Sequence, residues 1–201
     1  MADRLAADPA GIARAADLLR SGELVAFPTD TVYGIGCRAG DATALARIFA
    51  AKRRDPEKAV AWLVASRDEV TASAFRLDDR ALELAGQFWP GGLTLVLAAI
   101  DGPATQAFRV PAHDVALAVL AAAGPLAVSS ANRSGEPETL DADDVAIAFA
   151  DAEEPSAILD GGRVPGGVAS SVLDLARPAA RLLREGAVSR AEIEQVIGPI
   201  D

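Results

Sequence analysis

Three apolar segments of this chain each run directly into a polar loop that contains glycine. The loops are PTDTVYGIG after Phe27, SSANRSG after Val128 and DGGRVPGG after Leu159. Helix signals separate such segments, and the last helix is predicted over residues 190–197 behind a capping box. Strands mixed with helices along the chain predict an α/β fold with a mixed sheet. Ligands in such folds bind at strand ends, where backbone and short polar side chains can reach them.

Length and composition limit the number of domains and the class of protein. With 201 residues, 51% of them hydrophobic, the chain can bury one sizeable core, and no linker or repeat divides it. We therefore expect a single domain over residues 1–201. We see no secretory leader and no run of about 18 apolar residues, and we expect a cytoplasmic protein. The single cysteine, Cys37, excludes an internal disulfide and disfavours a cysteine-rich metal site.

Charge is unevenly distributed along the chain. There are 19 basic and 29 acidic residues, a net charge of −10, which repels nucleic acid unless a local patch reverses the sign. Residues 47–58 form such a patch, with Arg54 and the chain's only two lysines, Lys52 and Lys58. A compact ammonium group suits a point contact with phosphate or carboxylate. The alternative is a solvated helix end, where the C-terminal dipole also favours cations.

Short hydroxyl and amide side chains cluster at three strand ends: Thr29 and Thr31; Ser129, Ser130 and Asn132; Ser170 and Ser171. Thr29 and Thr31 are two residues apart, so in an extended segment they point to the same side. Such groups bind a ligand without the cost of burying a charge. The alternative is turn and cap chemistry, because Ser, Thr and Asn also bond their own backbone at strand ends. Three such clusters in one domain favour a binding site.

Two arginines and one histidine complete the candidates. Arg109, before Val-Pro, is a candidate partner for a carboxylate or phosphate, and Arg184 ends an apolar strand, where an edge charge is the alternative. His113 begins a helix, and a capping or surface role is the simpler interpretation. We find no P-loop, no G-x-G-x-x-G after a strand and no metal-ligand spacing, and a serine nucleophile would have only His113 as its base. Residue chemistry therefore predicts a polar cleft for an anionic small molecule.

An ordered series of motifs resembles the YrdC/TsaC family of threonylcarbamoyl-adenylate synthases. In chain order the motifs are PTDTVYGIGC, IFAAKRR, WPGGLTLVL, RVPAH, PLAVSSANRSG, ILDGG, SSVLDL and RLLREGA. They run from Pro28 to Ala187 and span most of the chain. Each motif alone is weak, but eight in order make the resemblance specific. It implies one YrdC-like α/β domain, with a twisted sheet of parallel and antiparallel strands flanked by helices and an open ligand cleft at the strand ends.

The resemblance also implies an activity. The chain would be a nucleotidyltransferase, an L-threonylcarbamoyladenylate synthase that makes threonylcarbamoyl-AMP and pyrophosphate from L-threonine, bicarbonate and ATP. Downstream tRNA-modifying transferase proteins would use the product to form threonylcarbamoyladenosine in tRNA. Mg²⁺ would enter with ATP and require no dedicated protein ligands. Contact with RNA would be weak, and no membrane contact is implied.

Most of the candidate residues receive roles from this resemblance. Contacts with L-threonine are implied for Thr31, Arg109 and Ser171. Contacts with ATP are implied for Lys52, Arg54, Lys58, Ser130, Asn132 and Arg184, and Lys52 and Arg54 are the implied catalytic residues. His113, Thr29 and Tyr33 lie in the motifs as further candidates.

Two departures from the family pattern fall in the basic segment. The family has proline directly after K-x-R and again after a second lysine, whereas this chain has Asp55 and Ala59 at those positions. Two other functions stay open at this point. One is an RNA-binding relative that makes no adenylate, which the net charge disfavours. The other is a paralogue that uses a different amino acid or carbamoyl donor.

Overall fold

The computed structural model describes residues 2–56, 58–166 and 168–201. Gly167, in the polar loop predicted after Leu159, lies outside the described residues. Within them, ten strands form one mixed sheet, and seven helices accompany it. The prediction of an α/β fold with a mixed sheet flanked by helices is confirmed.

The strands are β1 (Asp3–Ala6), β2 (Val25–Phe27), β3 (Gly34–Arg38), β4 (Ala61–Leu63), β5 (Leu93–Ala98), β6 (Thr105–Arg109), β7 (Leu126–Ser130), β8 (Ala157–Asp160), β9 (Ser171–Asp174) and β10 (Arg181–Arg184). The helices are α1 (Pro9–Arg20), α2 (Ala42–Lys52), α3 (Arg67–Thr71), α4 (Asp79–Phe88), α5 (Asp114–Ala123), α6 (Ala142–Ala148) and α7 (Arg190–Ile197). In the described part of the chain, no helix has the length and apolar character needed to cross a membrane.

Strand order across the sheet is β1-β8-β2-β3-β7-β4-β6-β5-β9-β10. Pairing is parallel for β1 with β8, β2 with β8, β4 with β6 and β5 with β9, and antiparallel for the other neighbours. In the β3–β7 pair, Gly34 lies opposite Ser130. The first polar loop and the SSANRSG loop therefore meet at the same end of the sheet, although about 100 residues separate them in sequence.

The sheet is covered on both faces around β2. Ala26 packs into a cluster with residues of α2 and α6. Its neighbours Val25 and Phe27 pack on the opposite face with residues of α1 and α5. Successive side chains of a strand point to opposite faces, so a strand covered on both sides is apolar throughout, as β2 is.

Around β5 the two faces differ. Leu93, Leu95 and Leu97 pack against α4 and α7, and each contributes roughly 1.5–3 kcal/mol by burial. Thr94 and Val96 point to the other face, where they line a cavity. The helices on one side therefore anchor this part of the sheet and leave its other face available to a ligand.

The polypeptide turns sharply where α2 ends. Asp41 begins the helix by accepting the N–H of Ala44, and Lys52 is its last residue. The next residue, Arg53, has φ 51°, a left-handed conformation that is uncommon outside glycine. As a result Lys52 is buried under the sheet end, whereas Arg54 lies on the cavity wall.

Two strands of the sheet, β3 and β6, have little signal in the sequence. β3 contains two glycines and β6 begins with two polar residues, so neither has the apolar run of a strand. Both become strands because they pair with neighbours on each side in the sheet.

Candidate active site

A cavity of about 230 Å³ lies over the open face of the sheet. Its floor consists of small apolar residues within strands: Ala61, Val96, Ala107, Val128 and Val172. Its polar wall consists of Thr29, Thr31, Arg54, Thr94, Arg109, Ser129, Ser130, Glu138, Ser170 and Arg184. Most of these polar groups come from strand ends, as predicted, and the cavity also extends over the sheet face.

Thr29 and Thr31 belong to a tight turn, so the extended segment predicted for them is wrong. Thr29 Oγ1 donates to the Val32 carbonyl at 2.7 Å and accepts from the Thr31 and Val32 N–H groups. The two threonine hydroxyls nevertheless meet, with their oxygens 3.1 Å apart. Since a hydroxyl has one proton, Thr31 donates to Thr29. The turn thus fixes the direction of the Thr31 hydroxyl on the cavity wall.

Arg109, at the end of β6, is buried and held at three points. Its Nε donates to the Gly91 carbonyl at 2.8 Å, and Nη1 donates to Thr31 Oγ1 at 3.1 Å. Its Nη2 forms an ion pair with Asp30. Burial lowers the pKa of Arg109, and the Asp30 carboxylate opposes that effect. The structure therefore brings Arg109 and Thr31 together, as one candidate group.

Arg54 and Arg184 come from distant parts of the chain and lie close together at the cavity. Arg54 donates to Ser129 Oγ at 3.1 Å and to the Ala59 carbonyl at 3.0 Å, whereas its buried Nε has no partner among the described residues. Burial and, secondly, the charge of Arg184 lower the pKa of Arg54. An anion between these two guanidinium groups would relieve their repulsion.

Ser170 and Thr94 carry the hydroxyls nearest to Arg184. The oxygens of the two hydroxyls lie 2.8 Å apart, and both residues are buried. Arg184 donates through Nε to the Ser170 carbonyl at 3.0 Å and through Nη2 to Ser170 Oγ at 3.3 Å. Neutral hydroxyls and a guanidinium group therefore form a second polar group on the cavity wall.

Ser171, one of the three residues predicted to contact threonine, does not lie on the cavity wall. Its side chain is fully buried, and its hydroxyl donates to the Val188 carbonyl. The same oxygen accepts from the N–H groups of Gly186 at 2.8 Å and Val188 at 3.1 Å. Strand alternation explains the correction, since adjacent residues at the start of β9 point to opposite faces and Ser170 is the one at the cavity.

Lys52 also lies behind the wall and not on it. Its Nζ donates to the Ser130 carbonyl at 2.5 Å and to the carbonyl of Asn132, and lies 3.3 Å from Asn132 Oδ1. Burial lowers the pKa of Lys52 to about 8, with a further contribution from Arg54. In this structure Lys52 holds the SSANRSG loop from beneath.

Asn132 is part of the same support. Its Oδ1 accepts from Ser130 Oγ at 2.6 Å, and its Nδ2 donates to the Glu136 carbonyl at 2.7 Å. Ser130 lines the cavity, whereas Asn132 does not. Of the residues predicted to contact ATP, the structure therefore places Arg54, Ser130 and Arg184 on the wall and Lys52 and Asn132 directly behind it.

The three remaining candidates do not line the cavity. Tyr33 is fully buried, donates to the Gly162 carbonyl at 2.8 Å and accepts from the Gly161 N–H, so it fastens the loop after β8. Lys58 is exposed. His113 is half-buried at the N-cap of α5, and its Nδ1 has no partner among the described residues. Burial lowers the pKa of His113, and Asp30 opposes this effect.

Glu138 is the one carboxylate among the described residues that line the cavity. Its Oε2 is buried without a hydrogen-bond partner in the described part of the chain. There, no group of three or more His, Cys, Asp or Glu side chains is arranged to hold a metal ion. The wall thus carries three guanidinium groups against one carboxylate, a local positive charge within an acidic protein.

Four wall residues were not assigned from the sequence: Thr94, Ser129, Glu138 and Ser170. Ser129 and Ser170 belong to the predicted polar clusters, but roles were assigned to their neighbours Ser130 and Ser171. Thr94 had a usable signal, as the one polar residue of the strand LTLVLA. Glu138 had none, because its loop reaches the cavity only through the tertiary fold.

Fold and cavity together define an α/β protein with a cationic, hydroxyl-lined site on an open sheet face. The Sua5/YciO/YrdC family model, described as "Telomere recombination", matches residues 17–186, and the chain belongs to this family.

Named relatives agree with this assignment. A threonylcarbamoyl-AMP synthase from Pyrococcus abyssi is 42% identical over 195 residues, covering 92% of this chain and 57% of its own length. One from Alkalilimnicola ehrlichii is 41% identical over 192 residues, covering 90% of this chain and 95% of its own length. The crystal structure of P. abyssi Sua5 complexed with L-threonine superposes with a TM-score of 0.90 at 39% identity, over all of this chain and 62% of that one.

Proposed function

We propose that this chain is an L-threonylcarbamoyladenylate synthase, which joins L-threonine, bicarbonate and ATP into threonylcarbamoyl-AMP and releases pyrophosphate. The observation that carries the proposal is the wall of the cavity, where Arg54, Arg109 and Arg184 converge among neutral hydroxyls. The relatives named threonylcarbamoyl-AMP synthase, and the Sua5 structure complexed with L-threonine, support the same activity. The arginines line a cavity, which favours a small anionic ligand over an RNA-binding surface.

L-Threonine would bind at Arg109 and Thr31. A guanidinium group matches a carboxylate in geometry and charge, and the Thr31 hydroxyl lies beside it in a fixed orientation. Ser170 and Thr94 would offer hydroxyls to the polar groups of the amino acid. The cavity of about 230 Å³ suits a small ligand, so most of a nucleotide would extend through its opening.

The phosphates of ATP would lie against Arg54 and Arg184, with Ser130 on the adjoining wall. Lys52 and Asn132 would act from behind by holding the loop that carries Ser130. Their direct contact with ATP is not needed for this arrangement. Lys58, on the exposed side of the basic segment, would make at most a peripheral contact.

The chemistry fits a wall whose described residues supply cations and hydroxyls and no activated nucleophile. The threonine amine adds to bicarbonate with loss of water and gives an N-carboxy group that is short-lived in water. An oxygen of that carboxylate then attacks the α-phosphorus, and pyrophosphate leaves. The protein's part is to hold the reactants together, balance the phosphate charge and exclude water.

We also propose that Mg²⁺ enters with ATP. Mg²⁺ prefers six oxygen ligands and keeps several waters, so one protein carboxylate beside the phosphates is sufficient. Glu138 fits that place, because it lies on the wall with an oxygen that has no hydrogen-bond partner among the described residues. When bound, the ion would supply positive charge to the phosphates.

The product would then pass to tRNA-modifying transferase proteins, which place the threonylcarbamoyl group on tRNA adenosine in the cytoplasm. Because threonylcarbamoyl-AMP is a reactive mixed anhydride, rapid transfer to such a partner would limit its loss to hydrolysis.

The test is direct. The protein is incubated with ATP, Mg²⁺, bicarbonate and L-threonine, and short reactions are examined by mass spectrometry for threonylcarbamoyl-AMP and pyrophosphate. Omission of threonine or bicarbonate should abolish both products, and a panel of amino acids tests the alternative substrates. Folded protein that binds ATP and forms no adenylate with any of them would contradict the proposal.

A further inference from the structure

We propose that Asp30 is a positioning residue for threonine: it holds the Arg109 guanidinium group so that the unused N–H groups face the cavity. This inference rests on the proposed function. It differs from a role in substrate contact, since Asp30 is not among the residues that line the cavity whereas Arg109 is.

The hydrogen bonds of Arg109 show how its orientation is set. A guanidinium group has five N–H donors in a rigid plane. Three of its donors go to the Gly91 carbonyl, Thr31 Oγ1 and Asp30 Oδ1, one from each nitrogen. The two remaining N–H groups, one on each Nη, are available to a ligand carboxylate. Asp30 is the single charged partner in this set, and it pairs with one of the two nitrogens that a carboxylate would use.

Burial makes the charge of Asp30 important. The side chain of Arg109 is 7% exposed and that of Asp30 is 15% exposed. An isolated buried cation is strongly disfavoured, and a carboxylate in contact offsets much of that cost. The charge of Arg184 acts against this stabilisation, because it adds to the positive potential around Arg109. Without Asp30, the guanidinium group would gain by turning toward solvent.

The turn that contains Asp30 explains why it reaches Arg109. Thr29 Oγ1 accepts the N–H groups of Thr31 and Val32 and so closes the turn around Asp30. Gly166 packs against the same turn so closely that a Cβ there would lie 1.7 Å from the Thr31 carbonyl oxygen. Asp30 and Thr31 therefore reach the same guanidinium group from adjacent positions of one rigid turn.

Equilibrium binding of L-threonine, measured by calorimetry in the presence and absence of ATP, tests the inference. Asp30→Asn keeps an oxygen acceptor and loses the charge, and we expect at least tenfold weaker threonine binding with ATP affinity changed less than twofold. Asp30→Glu restores the charge and should recover part of the affinity. Asp143→Asn, which removes one of the two carboxylate partners of Arg4 on the exposed surface, is the matched control and should bind threonine as the wild type does.

A double-mutant cycle separates positioning from a general structural effect. If Asp30 acts through Arg109, Asp30→Asn should add no further loss of threonine affinity to Arg109→Lys. Fully additive losses, or wild-type threonine affinity in Asp30→Asn, would overturn the inference. If Asp30→Asn does not fold, the same cycle is run with Asp30→Ser, which also removes the charge and keeps a short polar side chain, and unchanged threonine affinity in that variant would equally overturn it.

A readout without ligand keeps the inference distinct from the proposed function. In ¹⁵N NMR spectra the Nε–H of Arg109 should exchange slowly with water in the wild type and at least tenfold faster in Asp30→Asn. Wild-type protein that neither binds nor uses threonine contradicts the proposed function. Equal exchange rates in the two proteins contradict the positioning role, whatever the substrate.

Discussion

The hydroxyl oxygens of Thr94 and Ser170 lie 2.8 Å apart on the cavity wall, although 76 residues separate them in sequence. Parallel pairing of β5 with β9 brings them together, because Leu93 lies opposite Ser171 and Thr94 opposite Val172. The pair is next to Arg184, which also donates to Ser170. It offers neutral hydrogen-bonding groups at the place where the proposed amino acid would need them.

Replacement of Thr94 by valine tests this hydroxyl pair. Valine keeps the shape of threonine and removes the hydroxyl partner of Ser170 Oγ, so we expect the KM for L-threonine to rise by about 3–10-fold, or roughly 0.7–1.4 kcal/mol. The KM for ATP should change less than twofold. Thr94→Ser keeps the hydroxyl and is the control. A larger effect on ATP than on threonine would assign this wall to the nucleotide.

Ser170 and Ser171 form a matched pair with opposite expected outcomes. Ser171→Ala leaves one carbonyl and two N–H groups of residues 186–188 without their partner, and it should lower the free energy of unfolding by about 1–3 kcal/mol. Ser170→Ala should lower the free energy of unfolding less than Ser171→Ala does, because the Thr94 and Arg184 groups that it leaves line the cavity, and it should raise the KM for threonine. Chemical denaturation and steady-state kinetics measure the two effects. The reverse pattern would return the ligand contact to Ser171.

Removal of Arg54 tests the cationic side of the cavity. Arg54→Ala should lower kcat/KM for ATP at least tenfold, about 1.4 kcal/mol of transition-state stabilisation, because one of two adjacent phosphate-binding cations is lost. Arg54→Lys should fall between that variant and the wild type. The exposed Arg14 on α1 provides the control, and Arg14→Ala should keep wild-type kinetics. Wild-type rates in Arg54→Ala would show that this role is misassigned.

Replacement of Lys52 and replacement of Lys58 should affect the pH dependence of activity differently. Burial lowers the pKa of Lys52 to about 8, so its ammonium group loses a proton, and with it one of three donors, as the pH rises through that value. The loop that carries Ser130 is then held less firmly, and kcat/KM for ATP should fall above about pH 8. Lys52→Met should be at least tenfold less active below pH 8 and should lack this alkaline decline.

Lys58→Met is the comparison, because Lys58 is exposed and does not line the cavity. We expect its activity to stay within about twofold of the wild type and to show the same alkaline decline. A loss as large as that of Lys52→Met would place Lys58 at the phosphates. A decline above pH 8 that persists in Lys52→Met would assign the titration to another group.

His113 is the single histidine of the chain, so its titration can be followed as one NMR signal. Burial lowers the pKa of His113 below its usual value near 6.5, and the Asp30 carboxylate partly offsets this. Asp30→Asn removes that negative charge, and the pKa of His113 should fall further. An unchanged pKa of His113 in Asp30→Asn would mean that the Asp30 carboxylate is turned away from the imidazole.

Much of the candidate site could be predicted because its residue types are unusual in their local setting. Hydroxyls and arginines next to apolar strands carry a signal in any fold, and Thr31, Arg54, Arg109, Ser130 and Arg184 were found in this way. The reasoning failed where adjacent residues had equal chemistry. Ser170 and Ser171 differ only in the face of the strand they occupy, which pairing with β5 decides.

Sequence alone determined the α/β class, the position of the last helix, the family motifs and the residue types of the site, because hydrophobic periodicity, capping and local composition act over short distances. Only the tertiary structure decided which groups face the ligand. Lys52 was expected at the phosphates and lies behind the wall, and Asp30 was given no role and pairs with Arg109. Glu138 reaches the cavity from a loop without any local signal. The physical reason is that burial, ion pairing and strand register depend on contacts between residues far apart in sequence.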